Sequence, residues 1–218
     1  MNDFSQKIGF LFDLDGVLID SENEYSKIWI QLNKEFPTGV ENLELKIKGC
    51  TLTKILNDYY PDDNTKSLVA KRLHELEDQM QYDYLPYAKE FLKELKKRGI
   101  SCALVTSSDN RKISHLKEEL PDILNFFDFI VTGDLVKTSK PSPEGYLLAA
   151  SKLNLKPQKC VVFEDSEQGV LAGKNANSYV VGITGTIDKD KLEPHVNEMI
   201  NNFKELDIDE LILKLQNR

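Results

Sequence analysis

The sequence predicts an α/β protein in which a doubly wound parallel sheet carries an inserted all-α helical domain. Short, strongly apolar runs of strand length recur along the chain, as in strands buried on both faces of a parallel sheet. Helical patterns alternate with the later runs, which is typical of a doubly wound sheet. A long stretch after the first run has no β character, and its apolar residues recur at helical spacing instead.

Five apolar runs are the predicted strands. Most are rich in Val, Ile or Phe, which favour strands in a buried sheet. The first run precedes the helical stretch, and the other four follow it. The runs are IGFLF (8–12), CALVT (102–106), FDFIVT (127–132), CVVF (160–163) and YVVGI (179–183).

Helical patterns fill the intervals around the later strands. Before the second strand, residues 88–99 place apolar side chains on one face and end at Gly99, a predicted helix C-cap. Three further helices are predicted over residues 109–120, 143–153 and 167–176. Strand and helix therefore alternate through this part of the chain, as a doubly wound sheet requires.

The stretch from about residue 21 to residue 85 is predicted to be a helical module inserted after the first strand. Ser21 and Glu24 match a capping box, so we expect Ser21 to cap the first of these helices; a role facing the substrate is the alternative. The apolar residues lie on two helical faces. These faces comprise Tyr25, Ile28, Trp29, Leu32 and Phe36 on one helix, and Val69, Leu73, Leu76 and Met80 on another.

The insertion defines the predicted domain organisation. We expect an α/β core domain over residues 1–17 and 87–218, and a helical domain over residues 18–86. A chain of 218 residues is long enough for one core that carries a small second domain.

The composition fits an ordinary globular protein, with 40% hydrophobic and 29% charged residues. No apolar run is long enough to span a bilayer, and the N-terminus lacks the pattern of a secretory signal, so we expect a cytoplasmic protein with no membrane partner. The net charge of −8 argues against a nucleic-acid partner. Cys50, Cys102 and Cys160 are far apart, which predicts neither a disulfide framework nor a zinc site.

Polar residues follow the predicted strands at their carboxyl ends, where ligands bind in doubly wound sheets. Four carboxylates, a small polar cluster and one lysine are therefore expected at one edge of the sheet. They are Asp13 and Asp15 after the first strand, Thr106, Ser107, Ser108 and Asn110 after the second, Lys140 after the third, and Glu164 and Asp165 after the fourth.

The carboxylates at this edge repel one another unless a cation lies among them. Asp13 and Asp15 are two residues apart, so in an extended backbone they point to the same side, and Glu164 and Asp165 arrive from another strand. A hard divalent cation relieves the repulsion, and Mg²⁺ is the usual one beside phosphate. Lys140 adds the positive charge that a transferring phosphoryl group requires. The pattern predicts a phosphoryl-transfer site.

Four motifs in register give the chain a specific resemblance. They are FLFDLDGVLIDS, ALVTSS, SKPSPEGYLLAA and VVFEDSEQGVLAGKNA. With them the sequence resembles the haloacid dehalogenase superfamily, and within it the phosphatases and mutases similar to β-phosphoglucomutase. Four motifs in the family's order are far more specific than any one alone. The resemblance implies a Rossmann-like core, with the inserted helices as a C1-type cap.

The resemblance also implies the role of each catalytic residue. Asp13 is expected to be the nucleophile that attacks phosphorus and forms an aspartyl-phosphate. Asp15 is expected to protonate the leaving oxygen and then to activate the hydrolytic water. Lys140 would neutralise the phosphoryl oxygens and tether Asp13. Dehalogenases of the superfamily lack the second aspartate, so Asp15 argues against halide chemistry.

Binding residues are implied in the same way. Thr106 and the backbone N–H of Ser107 would hold phosphoryl oxygens. Ser108 and Asn110 match the contacts that the mutase makes to its distal phosphate. The expected Mg²⁺ ligands are Asp13, the carbonyl of Asp15 and Asp165, with Glu164 as an alternative ligand or a neighbour of the ligands.

The resemblance favours a phosphatase over a mutase. The mutase holds a second phosphate with a His and an Arg of its cap, and here Tyr25 and Leu52 occupy those positions. We therefore expect a Mg²⁺-dependent phosphoric monoester hydrolase acting on a small phosphorylated metabolite, with sugar phosphates as the leading class. The alternatives are a β-phosphoglucomutase-type hexose phosphate mutase, an inorganic pyrophosphatase and a non-catalytic phosphate-binding regulatory protein. We expect a monomer or a weak homodimer.

Overall fold

The computed structural model describes residues 8–184 and 189–216. Its centre is a parallel sheet of six strands in the order β3-β2-β1-β4-β5-β6. Helices from the crossover connections pack against it, so the predicted doubly wound α/β fold is confirmed. The strands are β1 (Gly9–Phe12), β2 (Ser101–Val105), β3 (Phe129–Val131), β4 (Cys160–Glu164), β5 (Tyr179–Ile183) and β6 (Glu198–Ile200).

The five predicted strands are confirmed within one or two residues at their ends. Strand β6 was not predicted, because it is only three residues long and includes a charged residue, Glu198. It pairs with β5 at the end of the sheet among the described residues. Edge strands of this kind are short and partly polar, so they carry little β pattern.

Ten α-helices are described in residues 8–184 and 189–216. Gly99 follows one of them with a φ of +68°, which confirms its predicted place at a helix end. The helices are α1 (Glu22–Glu35), α2 (Leu43–Lys46), α3 (Leu52–Tyr59), α4 (Asp63–Glu77), α5 (Ala88–Lys97), α6 (Asn110–Glu119), α7 (Glu144–Lys152), α8 (Glu167–Asn175), α9 (Lys189–Leu192) and α10 (Ile208–Gln216).

Helices α1 to α4 and the segments between them form what we call the helical insert. The chain enters and leaves the insert through two segments that lie side by side. Ile19 and Tyr84 form an antiparallel bridge, and the backbone N–H of Asp20 donates to the carbonyl of Asp83 at 3.0 Å. The insert therefore begins and ends at one place beyond β1. The exact domain boundaries, 1–17 and 87–218 against 18–86, stay a prediction, and residues 1–7 and 217–218 lie outside the described residues.

Aromatic rings fill the core on one face of the sheet. Phe12 and Phe163 are register partners on β1 and β4, and their rings stack with centroids 4.6 Å apart. Phe91 and Phe203 cover them and stack on each other at 4.9 Å. Stacked and tilted aromatic pairs add to the stability that burial alone gives. This packing fixes the ends of β1 and β4, which carry the acidic residues, beside each other.

None of the helices described in residues 8–184 and 189–216 is long and apolar enough to cross a bilayer. Cys102 and Cys160 are buried and Cys50 is half-buried, and all three are free thiols, as expected.

Candidate active site

The acidic residues lie at the switch point of the sheet, where β1 runs between β2 and β4. Crossover connections leave this point in opposite directions and open a crevice beyond the strand ends. The backbone N–H of Asp13 donates to the carbonyl of Phe163 at 3.0 Å. The pairing of β1 with β4 therefore continues up to Asp13, and it brings Asp13 next to Glu164 and Asp165.

Lys140 joins the two strand ends through its ammonium group. Its Nζ donates to Oδ1 of Asp13 at 2.7 Å and to Oε1 of Glu164 at 2.5 Å. The hydroxyl of Tyr146 on α7 donates to the same Glu164 oxygen at 2.6 Å. All four side chains are buried. A solvated loop position for Lys140, the usual one for a lysine before proline, is thereby excluded.

Burial and the neighbouring opposite charges have opposing effects on the pKa values of Asp13 and Lys140. Burial, together with repulsion from Glu164, raises the pKa of Asp13 to about 7, although Lys140 works against that rise. Burial lowers the pKa of Lys140, but the carboxylates of Asp13 and Glu164 outweigh it and hold that pKa above its usual value. The lysine therefore stays charged, while Asp13 needs further positive charge nearby to be fully ionised at neutral pH.

Asp13, Glu164 and Asp165 form an acidic cluster that fits a metal ion. One oxygen from each carboxylate lies within 4.8 Å of the others, and all three residues are buried. An all-oxygen donor set suits a hard divalent cation such as Mg²⁺. The carboxylate of Asp15 is outside this cluster, so the structure leaves its backbone carbonyl as the group it could offer to a metal.

The carboxylate of Asp15 lies among hydrogen-bond donors instead. Lys112 Nζ contacts its two oxygens at 2.5 and 2.6 Å, and Ser108 Oγ donates to Oδ2 at 3.2 Å. The hydroxyl of Ser21 also donates to Asp15. Ser21 occupies the N-cap position of α1 but makes no side-chain cap bond, so its predicted capping role is wrong. The partly buried carboxylate of Asp15 accepts a hydrogen bond from the hydroxyl that the sequence assigned to the helix end.

The predicted phosphate-binding residues fall into two groups. Thr106, Ser107 and Ser108 line the cavity that contains Asp13 and Asp15. Asn110 is exposed and does not line this cavity. Its side-chain oxygen accepts from Thr132 at 3.1 Å and its backbone N–H donates to Asp134 at 2.8 Å. The structure thus does not bring Asn110 to the site, because the start of α6 turns it toward the loop after β3.

The helical insert forms the opposite wall of the cavity. Tyr25, Trp29, Leu52 and Glu77 line it together with the core residues. The hydroxyl of Tyr25 donates to Oε1 of Glu77 at 2.7 Å. Burial raises the pKa of Glu77, and the hydrogen bond from Tyr25 opposes that rise. The wall combines aromatic faces with a buried acceptor.

Two hydrogen bonds hold the insert against the core beside the cavity. Ser107 Oγ donates to the carbonyl of Gly49 at 2.8 Å, and the backbone N–H of Thr51 donates to Ser139 Oγ at 2.9 Å. Gly49 has a φ of +75°, and a Cβ there would lie 2.9 Å from Ser166 Oγ. A side chain at residue 49 would therefore force this loop away from the core.

The residues of this site lie within a match to a known protein family. The family model described as haloacid dehalogenase-like hydrolase matches residues 10–183, which include every candidate site residue named above. The chain belongs to this family. The matched residues include the acidic cluster and Lys140.

Curated relatives of the chain are phosphatases of this family. A phosphorylated carbohydrates phosphatase of Thermotoga maritima is 33% identical and spans 83% of this chain and 87% of its own length. Hexitol phosphatase A of Escherichia coli is 32% identical and spans 88% of each chain. These similarities identify the chain as an enzyme of the phosphatase type.

Solved structures with the same fold include a mutase. The crystal structure of β-phosphoglucomutase from Clostridium difficile superimposes with a TM-score of 0.80 at 26% identity, over 97% of this chain and 98% of that one. The similarity spans the helical insert as well as the sheet, so the chain is β-phosphoglucomutase-like in its architecture.

Three side chains of the site were not predicted as such. Lys112 stands in the first turn of α6, and a long helical side chain points back toward the helix N-terminus, where the cavity lies. Glu77 follows Val69 and Leu73 at intervals of four on α4, so a charge interrupts an apolar stripe. Both signals were available in the sequence. The sequence gives no such signal for Tyr146, because an aromatic residue in a buried helix usually serves only to pack against its neighbours.

Proposed function

We propose that this enzyme is a Mg²⁺-dependent phosphatase that hydrolyses a small phosphorylated metabolite, with sugar phosphates as the leading substrate class. The observation that carries the proposal is the contact of Lys140 with both Asp13 and Glu164 beside Asp165, in the same cavity as Asp15. A nucleophile, a charge-neutralising lysine, a cation site and a second carboxylate are thus together. The relatives named above act on phosphorylated carbohydrates and hexitols.

The first half of the reaction uses Asp13 as nucleophile. One of its carboxylate oxygens forms a bond to phosphorus while the bond between phosphorus and the leaving oxygen breaks. Lys140 lies 2.7 Å from Asp13 and orients it. Thr106 and the backbone N–H of Ser107 contact the transferred group's oxygens, where negative charge increases. Asp15 donates its proton to the leaving oxygen, which departs as an alcohol.

The second half returns the enzyme to its starting state. Asp15, now ionised, accepts a proton from a water molecule that attacks the aspartyl-phosphate. The bond between phosphorus and Asp13 breaks, so inorganic phosphate leaves and the Asp13 carboxylate is restored. Ser21, Ser108 and Lys112 hold the Asp15 carboxylate in place for both proton transfers.

Mg²⁺ bound by Asp13, the carbonyl of Asp15 and Asp165 would supply the positive charge that lets the phosphoryl group approach a carboxylate. Glu164 already accepts hydrogen bonds from Lys140 and Tyr146. We therefore assign it the role of positioning Lys140, and its negative charge adds to that of the metal site. All of these residues except Asp15 are buried, which strengthens the attraction between the cation and its ligands.

A mutase is the second candidate, since a β-phosphoglucomutase shares the architecture. Ser108 lines the cavity as a distal phosphate contact would, but Asn110 lies outside it. Tyr25 and Leu52 line the cavity at the two positions where the mutase has cations. Isomerisation of a hexose 1-phosphate that depends on glucose 1,6-bisphosphate would indicate the mutase. Phosphate release without isomerisation supports the phosphatase.

The decisive experiment measures phosphate release from p-nitrophenyl phosphate and from a panel of sugar phosphates, phosphorylated alcohols and inorganic pyrophosphate. Turnover should require added Mg²⁺ and stop on chelation with EDTA. Asp13→Asn should abolish it, by at least 10³-fold, because the amide is no nucleophile. Asp20→Asn, an exposed carboxylate near the same strand end, is the control and should retain activity. Absence of turnover across the panel would refute the enzyme and leave a non-catalytic phosphate-binding protein.

A further inference from the structure

The cavity wall beside Asp15 is built by Tyr25 and Glu77 of the helical insert and Lys112 of α6. All three line the same cavity as Asp13 and Asp15. The Tyr25 hydroxyl donates to Glu77 at 2.7 Å, and the ammonium of Lys112 lies 4.1 Å from the centre of the Tyr25 ring. The leaving group of a substrate held at Asp13 must therefore lie against this wall.

Lys112 does not provide a cation for a second anionic group of the substrate. It is only 4% exposed, and its ammonium contacts both oxygens of Asp15 at 2.5 and 2.6 Å. The face of the Tyr25 ring occupies another side of the ammonium, as in a cation–π contact. Its ammonium group is thus occupied by Asp15 and covered by an aromatic ring.

The rest of the leaving-group end carries an excess of negative charge. Apart from the acidic cluster, Asp15 and Lys112, the charged residues that line the described part of this cavity are Glu44, Glu77 and Asp109, which contribute carboxylates, and Lys48, which contributes an ammonium. A phosphate or a carboxylate on the leaving group would meet like charges there, which is how binding sites reject a wrong partner. Hydroxyl groups, by contrast, can donate to carboxylate oxygens.

We propose that this wall selects substrates whose leaving group is neutral and rich in hydroxyl groups, and rejects those that carry a second phosphate or a carboxylate. Glu77 is the residue that sets this preference, since it is the buried carboxylate of the wall and Tyr25 holds it in place. This inference rests on the proposed phosphatase function and narrows its substrate class to monophosphates of polyols and neutral sugars.

The test compares two substrates that differ only in one group. Glucitol 6-phosphate and gluconate 6-phosphate have the same carbon chain, but the second ends in a carboxylate. Phosphate release with Mg²⁺ should give a kcat/KM at least tenfold higher for glucitol 6-phosphate. Phenyl phosphate and 4-carboxyphenyl phosphate make the same comparison without sugar recognition, and the neutral compound should again be preferred.

Glu77→Gln removes the charge and keeps an acceptor for Tyr25, so it should reduce the preference for the neutral substrate at least threefold. Glu75→Gln is the matched control: it lies on the same helix, is exposed and pairs with Arg72, so the preference should not change. Equal kcat/KM values for the two members of each pair in the wild type, or an unchanged ratio in Glu77→Gln, would overturn the inference alone. Absence of turnover on all four compounds and on p-nitrophenyl phosphate would overturn the proposed function with it.

Discussion

The contact between Tyr146 and Glu164 offers a direct test of how the site is held together. Tyr146→Phe removes one hydroxyl, which donates to Oε1 of Glu164 at 2.6 Å in a fully buried setting. Glu164 keeps its bond from Lys140, so the carboxylate is not left without a donor. The loss is therefore that of one hydrogen bond to a charged acceptor, about 1.5–3 kcal/mol.

A second buried tyrosine provides the control for that substitution. Tyr60 is 2% exposed, and within the described residues its hydroxyl has no hydrogen-bond partner. Tyr60→Phe removes the same atom without breaking a bond, and it relieves an unsatisfied polar group. We expect a change between zero and about 1 kcal/mol of added stability. The two variants differ only in whether the lost hydroxyl was bonded.

The assay is urea unfolding followed by circular dichroism, with thermal melts alongside. Tyr146→Phe should lower the free energy of unfolding at an unchanged m-value, and a loss of about 2 kcal/mol corresponds to a fall in Tm of about 4–8 °C for a chain of this size. Stability within about 0.5 kcal/mol of the wild type would contradict the assignment of a strong bond to Glu164. So would an equal loss in Tyr60→Phe.

The other predictions concern a glycine and the thiols. Gly169→Ala should reduce stability by about 1–3 kcal/mol and phosphate release at least tenfold, because the new Cβ would lie 1.9 Å from Cδ of Glu164 and force that carboxylate to move. At an exposed position in a helix, replacing glycine by alanine would instead stabilise the protein by about 1 kcal/mol. A gain in stability would therefore contradict the predicted clash with Glu164. Burial raises the thiol pKa of Cys102 and Cys160 to about 12, which leaves a thiolate fraction on the order of 10⁻⁴ at pH 8. Ellman's reagent should therefore titrate at most Cys50 in the native protein and three thiols in denaturant, and rapid native labelling of three thiols would contradict the burial.

Most of the sheet and of the candidate site could be predicted from the sequence. Strands β1 and β4 are buried on both faces, so their apolar runs were unmistakable, and Asp13 and Glu164 had to follow at the same edge. The chemistry of crowded carboxylates beside Lys140 then pointed to phosphoryl transfer and a divalent cation. The strand ends were enough for these inferences, and the roles of the individual residues needed the resemblance carried by the four motifs as well.

What could not be predicted depends on contacts between distant segments. Ser21 has the local pattern of a helix cap, but Asp15 recruits its hydroxyl. Asn110 follows the hydroxyl cluster in sequence, yet the turn into α6 directs it away from the cavity. Glu77 reaches the site only because α4 packs beside α1 and places it against Tyr25. Each outcome is set by tertiary packing, which local patterns do not encode.

The paired segments that lead into and out of the helical insert also bear on how the chain folds. In the sheet Gly9 is the register partner of Ser101, so β1 must find a strand more than ninety residues away. Once Ile19 and Tyr84 are paired, the loop that must close between β1 and β2 shrinks to about thirty residues, and its entropic cost falls by about 1 kcal/mol. The helices of the insert are formed by local contacts, which assemble early. We therefore expect the insert to fold before the sheet and, once folded, to hold β1 and β2 close enough to pair.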